Sequence, residues 1–422
     1  MEDVIIVGAG PTGLWLSAEL ALAGLSVTVL ERRWTPAEFS KAMGVHARTL
    51  EVLAMRGVAE PLIKAGHPLP TWHWGFLRSR LNLAVLDTPY PFMLAVPQTR
   101  TEALLEEHAV RLGVRIVRGH EVASVRPFDD HVAVDGVPAR YVVGCDGGGS
   151  AVRKAAGIGF PGTDSSVVAF VADAVLDDPP PPGLSVVGPA GSLIVAPAPG
   201  GRFRVAGYDP LHQDTAAPFP VDDLRDFLIR VTGGDCGLRE AFWLSRFGNA
   251  TRMASSYREG RLLLAGDAAH IHFPTGGVGL NTGIQDAMNL GWKLAAVIRG
   301  EAPPSFLDTY EAERRPVSEA VAADTQAQTV LLTAVTPEGA ALRSAVDTMV
   351  AQPDINRRLA EQVSGLSVAY PSAVRAPAST FALLHAGRPV PLPEDPNQLV
   401  RPDGYLTAGG LFLQKSRAVR PA

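Results

Sequence analysis

Three glycines near the start of the chain have the spacing of a phosphate-binding turn. Gly8, Gly10 and Gly13 form G-x-G-x-x-G directly after the apolar run 4–7, and a helical pattern follows them. The first glycine permits a tight turn, the second lets a pyrophosphate approach the backbone, and the third lets helix and strand pack closely. Glu31 ends the next strand pattern, about 20 residues further on, where a carboxylate can bind ribose hydroxyls. The pattern predicts a dinucleotide site but does not distinguish NAD from FAD.

Two later carboxylates bear on the choice between these cofactors. Asp146 follows the strand pattern YVVGC, and Asp267 follows RLLLAG. A carboxylate at the end of a strand can accept hydrogen bonds from the hydroxyls of a ribityl chain, which NAD lacks. A helix N-terminus after Asp267 could stabilise negative charge on an electron-accepting ring. Its backbone amides belong to Gly277, Gly279, Leu280 and Asn281. Although Asp267 could instead only cap a helix, the three motifs in this order favour FAD.

The composition excludes several other classes of function. The net charge of the 422 residues is −5, so no basic field is available for nucleic acid or an anionic membrane. The two cysteines, Cys145 and Cys236, are too few for a disulfide framework or a metal cluster. No apolar run reaches membrane-spanning length, and we see no signal peptide. These features predict a cytoplasmic enzyme without a metal site.

The strand and helix patterns predict an α/β fold in which one sheet domain is inserted into another. We expect the nucleotide domain to be discontinuous, with segments 1–65, 96–160 and 251–370. Segments 66–95 and 161–250 are predicted to form an antiparallel, substrate-binding sheet domain. The predicted elements include helices at 47–55, 101–112 and 282–298, and a β-hairpin at 192–208.

Several motifs together resemble one enzyme family. The stretches GAGPTG, GCDGG and LLAGDAAH resemble FAD-dependent aromatic hydroxylases, the single-component flavoprotein monooxygenases typified by para-hydroxybenzoate hydroxylase. Others resemble its aromatic polyketide branch, with the anhydrotetracycline and angucycline hydroxylases and rifampicin monooxygenase. These are FSKAMGVHARTLEVLAMRG, VPQTRTEALLEEHA, LSRFGNATR, NLGWKLAAVI and DTYEAERRP. The resemblance covers residues 1–370 and implies a Rossmann-like FAD-binding domain of the glutathione-reductase type.

The resemblance also implies an activity. It implies non-covalent FAD, NADPH as a transient reductant and O₂ as co-substrate, with a C4a-hydroperoxyflavin hydroxylating a polycyclic aromatic polyketide in antibiotic biosynthesis. Baeyer–Villiger oxidation or antibiotic inactivation on the same scaffold is an alternative. A non-oxygenating flavin dehydrogenase is an alternative of another class. Monomer and homodimer both remain open.

The family motifs can be carried over to cofactor-binding residues of this chain. Glu31 would hold the adenosine ribose, and Arg32 and Arg48 would lie near the adenine and the pyrophosphate. Gln98 would contact the ribityl chain, and the backbone of Val122 the adenine. The full cofactor set is Gly8, Gly10, Pro11, Thr12, Gly13, Glu31, Arg32, Arg48, Gln98, Val122, Asp146, Gly147, Gly266, Asp267, Pro274, Gly277, Gly279, Leu280 and Asn281.

The resemblance also implies residues that would contact the reacting end of the cofactor. Asp146 would tie its loop near the pyrophosphate and the NADPH path, and Asp267 would bind the ribityl chain. Pro274, Gly277 and Gly279 would surround the isoalloxazine. No catalytic acid or base is assigned, because a phenol already directs electrophilic attack. The family has Gln where this chain has Val278, so a side-chain contact to the flavin is lost.

The substrate-binding candidates come from residue types rather than from a motif. They are His46, Trp72, Trp74, Phe92, Arg204 and Phe273. Trp72, Trp74 and Phe76 alternate as in a strand, so one face could line an aromatic pocket or simply be a buried sheet face. Arg204 could meet a phenolate, but solvent exposure is favoured over that role.

Two further expectations concern the loop predicted to surround the flavin, near residues 273–281, and the C-terminal part of the chain. His270 and His272 flank the loop, but no acidic or cysteine partner stands at ligand spacing, which favours local packing. By resemblance, segment 371–422 is predicted to be a thioredoxin-like domain that is either shortened or incomplete. It contains no Cys-x-x-Cys, so we assign it no redox role.

Overall fold

The computed structural model describes residues 1–181, 184–371 and 373–407. Its helices are α1 (Pro11–Leu22), α2 (Ala47–Ala54), α3 (Ala59–Ala65), α4 (Gln98–Arg111), α5 (Ala151–Ala155), α6 (Val221–Thr232), α7 (Gly279–Ile298), α8 (Asp308–Leu332), α9 (Pro337–Val350) and α10 (Pro353–Val363). The first strands are β1 (Glu2–Val7), β2 (Val27–Glu31), β3 (Gly44–Val45), β4 (His67–Leu69), β5 (Thr71–Trp72), β6 (Leu81–Asn82), β7 (Met93–Ala95), β8 (Arg115–Arg118), β9 (Val125–Pro127), β10 (Val132–Val134), β11 (Val137–Gly144) and β12 (Gly162–Thr163). The later strands are β13 (Val168–Leu176), β14 (Ser185–Gly188), β15 (Gly191–Ala198), β16 (Arg202–Tyr208), β17 (Leu238–Gly248), β18 (Thr251–Met253), β19 (Arg258–Glu259), β20 (Leu262–Leu264), β21 (His270–Ile271), β22 (Ala373–Arg375), β23 (Val390–Leu392), β24 (Asp395–Val400) and β25 (Tyr405–Thr407).

The main sheet collects strands from distant parts of the sequence. Its order is β19-β20-β11-β1-β2-β8, with β10 and β9 paired beside β11. The central pairs are parallel, and their short apolar strands are typical of a sheet that is buried on both faces. Strands of the first, second and third predicted nucleotide segments therefore lie side by side.

Helix α1 packs between this sheet and two other helices. Pro11 is its first residue, which suits proline because that N–H has no partner within a helix. Gly24, at φ +83°, follows the helix and turns the chain back into β2. Gly291 lets α7 approach closely, since a Cβ there would lie 2.7 Å from the Cβ of Glu19.

The inserted sheet has the order β14-β15-β16-β13-β17 and is antiparallel. The predicted hairpin at 192–208 is present as β15 and β16. Helix α6 covers one face of the sheet with Leu224, Phe227 and Leu228. An α/β fold with an inserted antiparallel sheet is thus confirmed.

Segment 66–95 does not join the inserted sheet. Strand β4 pairs with β7, which also pairs with β3, and β5 pairs with β6. Apolar residues of this segment pack against α8, α9 and α10, through contacts that include Leu331, Val350 and Val363. The predicted alternation of Trp72, Trp74 and Phe76 along one strand is wrong, because β5 ends at Trp72 and Phe76 has φ +54°.

The described C-terminal residues form a small antiparallel sheet in the order β22-β25-β24-β23. Phe381, Leu384 and Val400 of this part belong to the main core, so it is packed onto the nucleotide domain. Its thioredoxin-like character stays a prediction, and residues 408–422 of that segment lie outside the described ones. Over the described residues, no helix combines the length and apolarity needed to cross a membrane.

Candidate cofactor and active site

Four parallel strands end in one row of the main sheet. Val7 pairs with Leu30 and with Gly144, and Gly144 pairs with Leu264. The chain segments that leave this row are the glycine turn, the Glu31 end, the Asp146 loop and the Asp267 loop. Because the strands are parallel, all of these segments emerge at the same edge, where ligands of open α/β sheets bind.

The glycine turn has the geometry that a pyrophosphate site requires. Gly8 has φ +105°, and a Cβ there would lie 2.4 Å from the carbonyl oxygen of Cys145. A Cβ on Gly13 would lie 2.0 Å from the carbonyl oxygen of Gly8, so helix and strand could not approach this closely. Space around Gly10 is open to 4 Å, and no side chain caps α1. The first amides of α1 therefore remain available to an anion.

Glu31 lies directly beside this turn. Its Oε2 accepts a hydrogen bond from the Ala9 N–H at 2.8 Å, and its Oε1 accepts one from the Arg33 N–H at 3.0 Å. The carboxylate is thereby oriented while both oxygens keep further acceptor capacity. Arg32 is exposed next to it. This placement suits the predicted contact of Glu31 with an adenosine ribose.

The Asp146 loop is tied to the Asp267 loop by an arginine. Asp146 Oδ2 accepts a hydrogen bond from the Ala151 N–H at 2.7 Å, whereas its buried Oδ1 has no partner among the described residues. Gly147 follows in the left-handed region at φ +78°. Arg153 donates to the Gly148 carbonyl at 2.7 Å and to the Ala268 carbonyl at 2.9 Å. Sequence reasoning assigned no such contact to Arg153.

Asp267 presents its carboxylate outward from an otherwise buried turn. It lies in the 3-10 helix Gly266–Ala268, is exposed, and accepts no hydrogen bond from any described residue. Thr12 of the first turn of α1 lies against this turn, since a Cβ on Gly266 would be 2.7 Å from Thr12 Oγ1. Nothing in this arrangement supports the alternative that Asp267 only caps a helix.

A buried network of charged side chains contacts the turn that carries Asp267 through a hydrogen bond to the Gly266 N–H. Asp286 of α7 binds His270 Nε2 at 2.6 Å and Arg314 Nε at 2.7 Å. It also accepts the Gly266 N–H at 3.1 Å. Burial alone would raise the pKa of Asp286, but the positive charge of Arg314 and the bond from His270 outweigh burial and lower that pKa.

The prediction that His270 bonds only locally is therefore wrong, because its partner is Asp286. The partner stands 16 positions further along the chain, on a helix that folds back against the loop. His272 does bond locally, between its Nδ1 and the Phe273 carbonyl at 2.9 Å. Among the described residues, no group of three or more His, Cys, Asp and Glu side chains could hold a metal ion.

Two side chains donate hydrogen bonds to the same carbonyl of the flavin loop, which we define as residues 273–281. The Gly276 carbonyl accepts a hydrogen bond from His46 Nε2 at 2.8 Å and one from Trp72 Nε1 at 3.0 Å. Asn281 Oδ1 accepts the backbone N–H of His46 at 2.8 Å. No side chain caps the α7 N-terminus, which begins at Gly279 rather than near residue 282. Its first amides can face a ring carbonyl.

His46 is neutral in this environment. Burial lowers the pKa of its imidazole to about 4, although the bond to Gly276 acts in the opposite direction. Because a carbonyl only accepts, Nε2 must carry the proton. Nδ1 is buried and has no hydrogen-bond partner within the described part of the chain. His46 therefore donates a hydrogen bond to the loop through Nε2, while its Nδ1 remains an acceptor without a donor among the described residues.

Other predicted cofactor contacts have internal partners instead. The buried guanidinium of Arg48 pairs with Glu51 at 2.6 Å and donates to the Asp403 carbonyl at 2.9 Å. Gln98 accepts the Ala42 N–H at 3.1 Å and donates to Glu102. The structure thus lends no support to a phosphate contact by Arg48 or a ribityl contact by Gln98. Val122 is half-buried near the predicted adenine edge.

The substitution of Val for the family's Gln is explained by packing. Val278 is buried in an apolar cluster with Leu331, Val350 and Val363 of the surrounding helices. Its side chain therefore contributes to the core behind the flavin loop. The change of side chain leaves the backbone amide of Val278 in the loop, and the predicted contact of the loop amides with a flavin ring stays a prediction.

The predicted substrate residues separate into two groups. Trp72 and Phe273 lie at the flavin loop, whereas Trp74 donates to Asp324 at 3.0 Å and Phe92 packs against the main core. The favoured solvent exposure of Arg204 is wrong. Its side chain is buried, pairs with Asp173 at 2.6 Å and donates to the Ser40 carbonyl at 2.6 Å. Alternation identified its sheet face but not the segment that covers that face.

One aromatic cluster joins the flavin loop to the inserted sheet. Its buried members are Phe76, Ala169, Phe273 and Leu332, with Val187, Ile194, Tyr208 and Phe247 packed against them. The rings of Phe247 and Phe273 lie 5.5 Å apart between centroids. Tyr208 and Phe247 were not singled out as a pair by the sequence, because their neighbourhood depends on strand register. The cluster places an apolar group of side chains, half of them aromatic, beside the loop.

The chain is similar to known flavoproteins in both sequence and structure. Residues 1–325 match the family model described as FAD binding domain. The chain is 45% identical over 391 residues to 12-dehydrotetracycline 5-monooxygenase/anhydrotetracycline 6-monooxygenase of Streptomyces rimosus, covering 88% of this chain and 78% of that protein.

Two solved structures are similar over nearly their whole length. The OxyS anhydrotetracycline hydroxylase from Streptomyces rimosus superposes with a TM-score of 0.88 at 40% identity, covering 96% of this chain and 95% of that one. The Diels-Alderase PyrE3 of the pyrroindomycin pathway superposes with a TM-score of 0.85 at 34% identity, covering 99% and 98%. The same fold thus accompanies both oxygenating and non-oxygenating chemistry.

Proposed function

Since the chain belongs to the FAD binding domain family, we propose that it hydroxylates a polycyclic aromatic polyketide with NADPH as reductant and O₂ as oxygen source. The chain is an FAD-dependent aromatic monooxygenase of the kind found in polyketide and antibiotic pathways. The observation that best supports hydroxylation of a polycyclic aromatic substrate is the aromatic cluster, which lies between the flavin loop and the inserted sheet.

The residues of the sheet edge fit FAD. The glycine turn and the uncapped α1 suit the pyrophosphate, Glu31 suits the adenosine ribose, and the exposed Asp267 suits the ribityl hydroxyls. When bound, FAD supplies the redox chemistry that takes up a hydride and activates O₂ at the flavin C4a position. The α7 N-terminus would orient the ring by facing a ring carbonyl.

The chain's own residues would hold the substrate and exclude water. A flat polycyclic ligand can pack against Phe273, Phe247 and Tyr208, because aromatic rings favour offset and edge contacts. Exclusion of water favours oxygen transfer over loss of peroxide. The aromatic character of this surface therefore supports an aromatic, polycyclic substrate.

NADPH would dock transiently rather than in a domain of its own. The sequence contains one G-x-G-x-x-G after a strand, and this turn suits the FAD pyrophosphate. Reduction and oxygen transfer then need the flavin to be reachable by nicotinamide at one stage and enclosed at another.

Isotope labelling tests this proposal. The purified holoenzyme is mixed with NADPH, ¹⁸O₂ and a polycyclic phenol, and the product is analysed by mass spectrometry. We expect one ¹⁸O atom in the product, faster NADPH oxidation with substrate than without it, and peroxide release with poor analogues. Label from H₂¹⁸O but not from ¹⁸O₂ would contradict hydroxylation by O₂. An inserted ring oxygen in place of a hydroxyl would indicate Baeyer–Villiger oxidation.

A second candidate function is favoured by one observation. The similarity to the Diels-Alderase PyrE3 indicates that this scaffold also serves a reaction without oxygen transfer. In that case FAD would remain bound while NADPH oxidation stayed slow with every substrate. Rapid substrate-stimulated NADPH oxidation that yields labelled product excludes this candidate.

A further inference from the structure

Phe76 is a bulky residue in a backbone conformation that bulky residues rarely adopt. Its φ is +54°, and Gly75 before it has φ +55°. Over the described residues, the other non-glycine positions with positive φ are Asp135 and Cys236. Such strain persists only where the surrounding structure imposes it, and it concentrates at functional sites.

The strained turn is held by side chains from two helices. Arg343 of α9 donates to the Phe76 carbonyl at 2.6 Å and to the Gly75 carbonyl at 2.8 Å. It also donates to the Leu331 carbonyl at 2.7 Å, which ties the turn to the end of α8. Gln328 Oε1 accepts the Gly75 N–H at 3.2 Å. These bonds determine the conformation from outside the turn.

The consequence of this turn is the position of one ring. The Phe76 side chain is buried and belongs to the aromatic cluster with Phe273 and Ala169. His73 packs edge-on against it, with ring centroids 5.2 Å apart. Phe273 is the first residue of the flavin loop. The strained residue thus puts its ring between the flavin loop and the inserted sheet.

The other positive-φ residues have local explanations. The Asp135 carboxylate accepts the Ser124 N–H at 2.7 Å and bonds His120 Nε2 at 2.9 Å, which stabilises a turn between β10 and β11. Cys236 lies in the turn before β17, where the Gly237 N–H donates to Asp235. Phe76 differs from both, because its conformation is held by distant helices and its side chain packs in the cluster that contains Phe273.

We propose that Phe76 is a specificity-determining residue that limits how large a fused ring system can enter beside the flavin loop, with Arg343 as its positioning residue. This inference rests on the proposed function, because it assigns the aromatic cluster to the substrate. The bonds from Arg343 fix the backbone of the turn, so the Cα and Cβ atoms of Phe76 stay at the cluster whatever rotamer the ring adopts. The limit on substrate size is therefore built into the turn.

Ligand binding to the FAD-loaded protein without NADPH tests the inference. Dissociation constants for 2-naphthol (two rings) and 1,8-dihydroxyanthraquinone (three rings) are measured from changes in the flavin absorbance. We expect Phe76→Ala to shift the ratio of the two constants by about tenfold or more in favour of the three-ring ligand. Arg343→Met should shift the ratio in the same direction, because the turn relaxes. Phe76→Leu keeps most of the side-chain volume and should give a smaller shift.

The matched control is Asp135→Gly. It also replaces a strained non-glycine residue, but one in the turn between β10 and β11 that is not a member of the cluster, so the ratio should stay within about twofold of wild type. A Phe76→Ala protein that retains FAD and its thermal midpoint, with an unchanged ratio, would overturn the inference. If Phe76→Ala does not fold, an unchanged ratio in both Phe76→Leu and Arg343→Met overturns it equally. The binding ratio is measured without turnover. An unchanged ratio therefore contradicts only the role of Phe76, whereas an absence of ¹⁸O₂ incorporation contradicts the proposed hydroxylation.

Discussion

Asp286 accepts the backbone N–H of Gly266 at 3.1 Å, from inside the helix that follows the flavin loop. This bond fixes the left-handed turn at Gly266, whose φ is +61°, and thereby the residue after it, Asp267. The same carboxylate is paired with Arg314 and His270. A buried ion pair thus positions the exposed Asp267 carboxylate, which we propose to bind the ribityl chain.

The first prediction concerns Asp286→Asn. Removing the charge leaves Arg314 buried without its partner, so the free energy of unfolding should fall by about 3–5 kcal/mol. FAD affinity should also fall, because the Gly266 turn loosens. Glu313→Gln breaks another buried pair, with Lys293 and Arg401, but does not contact Gly266. Chemical unfolding and FAD titration of both variants separate the effects: equal losses of FAD affinity would refute a positioning role for Asp286.

The second prediction concerns Asp267→Asn. The side chain is exposed and makes no hydrogen bond to the rest of the described chain, so the stability of the apoprotein should stay unchanged. FAD affinity should fall by about tenfold or more, because charge-assisted bonds to the ribityl hydroxyls are weakened. Fluorescence titration with FAD measures the change. An unaltered dissociation constant would rule out the assigned contact.

The third prediction concerns the two donors to the Gly276 carbonyl. His46→Leu or Trp72→Phe leaves one donor in place, whereas the double variant leaves a buried carbonyl without a partner. An unsatisfied buried acceptor costs about 1–3 kcal/mol. The double variant should therefore lose more stability than the sum of the single losses. Denaturant unfolding of the four proteins gives the coupling, and simple additivity would argue against a shared acceptor.

The fourth prediction concerns acid stability through Glu313. Burial raises the pKa of this carboxyl, but bonds and charges from Arg401 and Lys293 outweigh it and lower the pKa from 4.5 to about 2. Since the folded-state pKa is the lower one, the contribution to stability is present above pH 4.5 and is lost as pH falls towards 2. It should amount to a few kcal/mol, of order 1.4 kcal/mol per pKa unit.

Unfolding measured against pH checks this prediction. The difference in unfolding free energy between wild type and Glu313→Gln should shrink as pH falls from 4.5 to 2. Glu361→Gln removes an exposed i,i+4 pair with Arg357 and serves as the control, with a difference near zero throughout. If the difference in unfolding free energy between wild type and Glu313→Gln does not change with pH, ionisation of Glu313 is not the cause of the stabilisation.

Some features of the site follow from the sequence alone, because they are local. The glycine turn, Glu31 and Asp267 each stand at a fixed offset from an apolar strand, and parallel strands bring their ends to one edge. The sequence therefore determined the dinucleotide site, the choice of FAD over NAD and the inserted hairpin at 192–208.

Other features depend on which distant segments come into contact. Two examples are the bond between His270 and Asp286 and the bonds from His46 and Trp72 to the Gly276 carbonyl. Each joins elements that are distant in sequence, and no local sequence pattern predicts that they lie close together. Arg204 was misjudged for the same reason: period two specifies a face of a strand but not the residues that cover it.

The tertiary structure alone decided the strained turn at Phe76. Its sequence neighbours suggested a continuing strand, since alternating aromatic residues favour one. Arg343, more than 260 positions away, overrides that preference by bonding both carbonyls of the turn. A local propensity is weak compared with several hydrogen bonds made in a packed interior, so the conformation there is set by contacts and not by the segment itself.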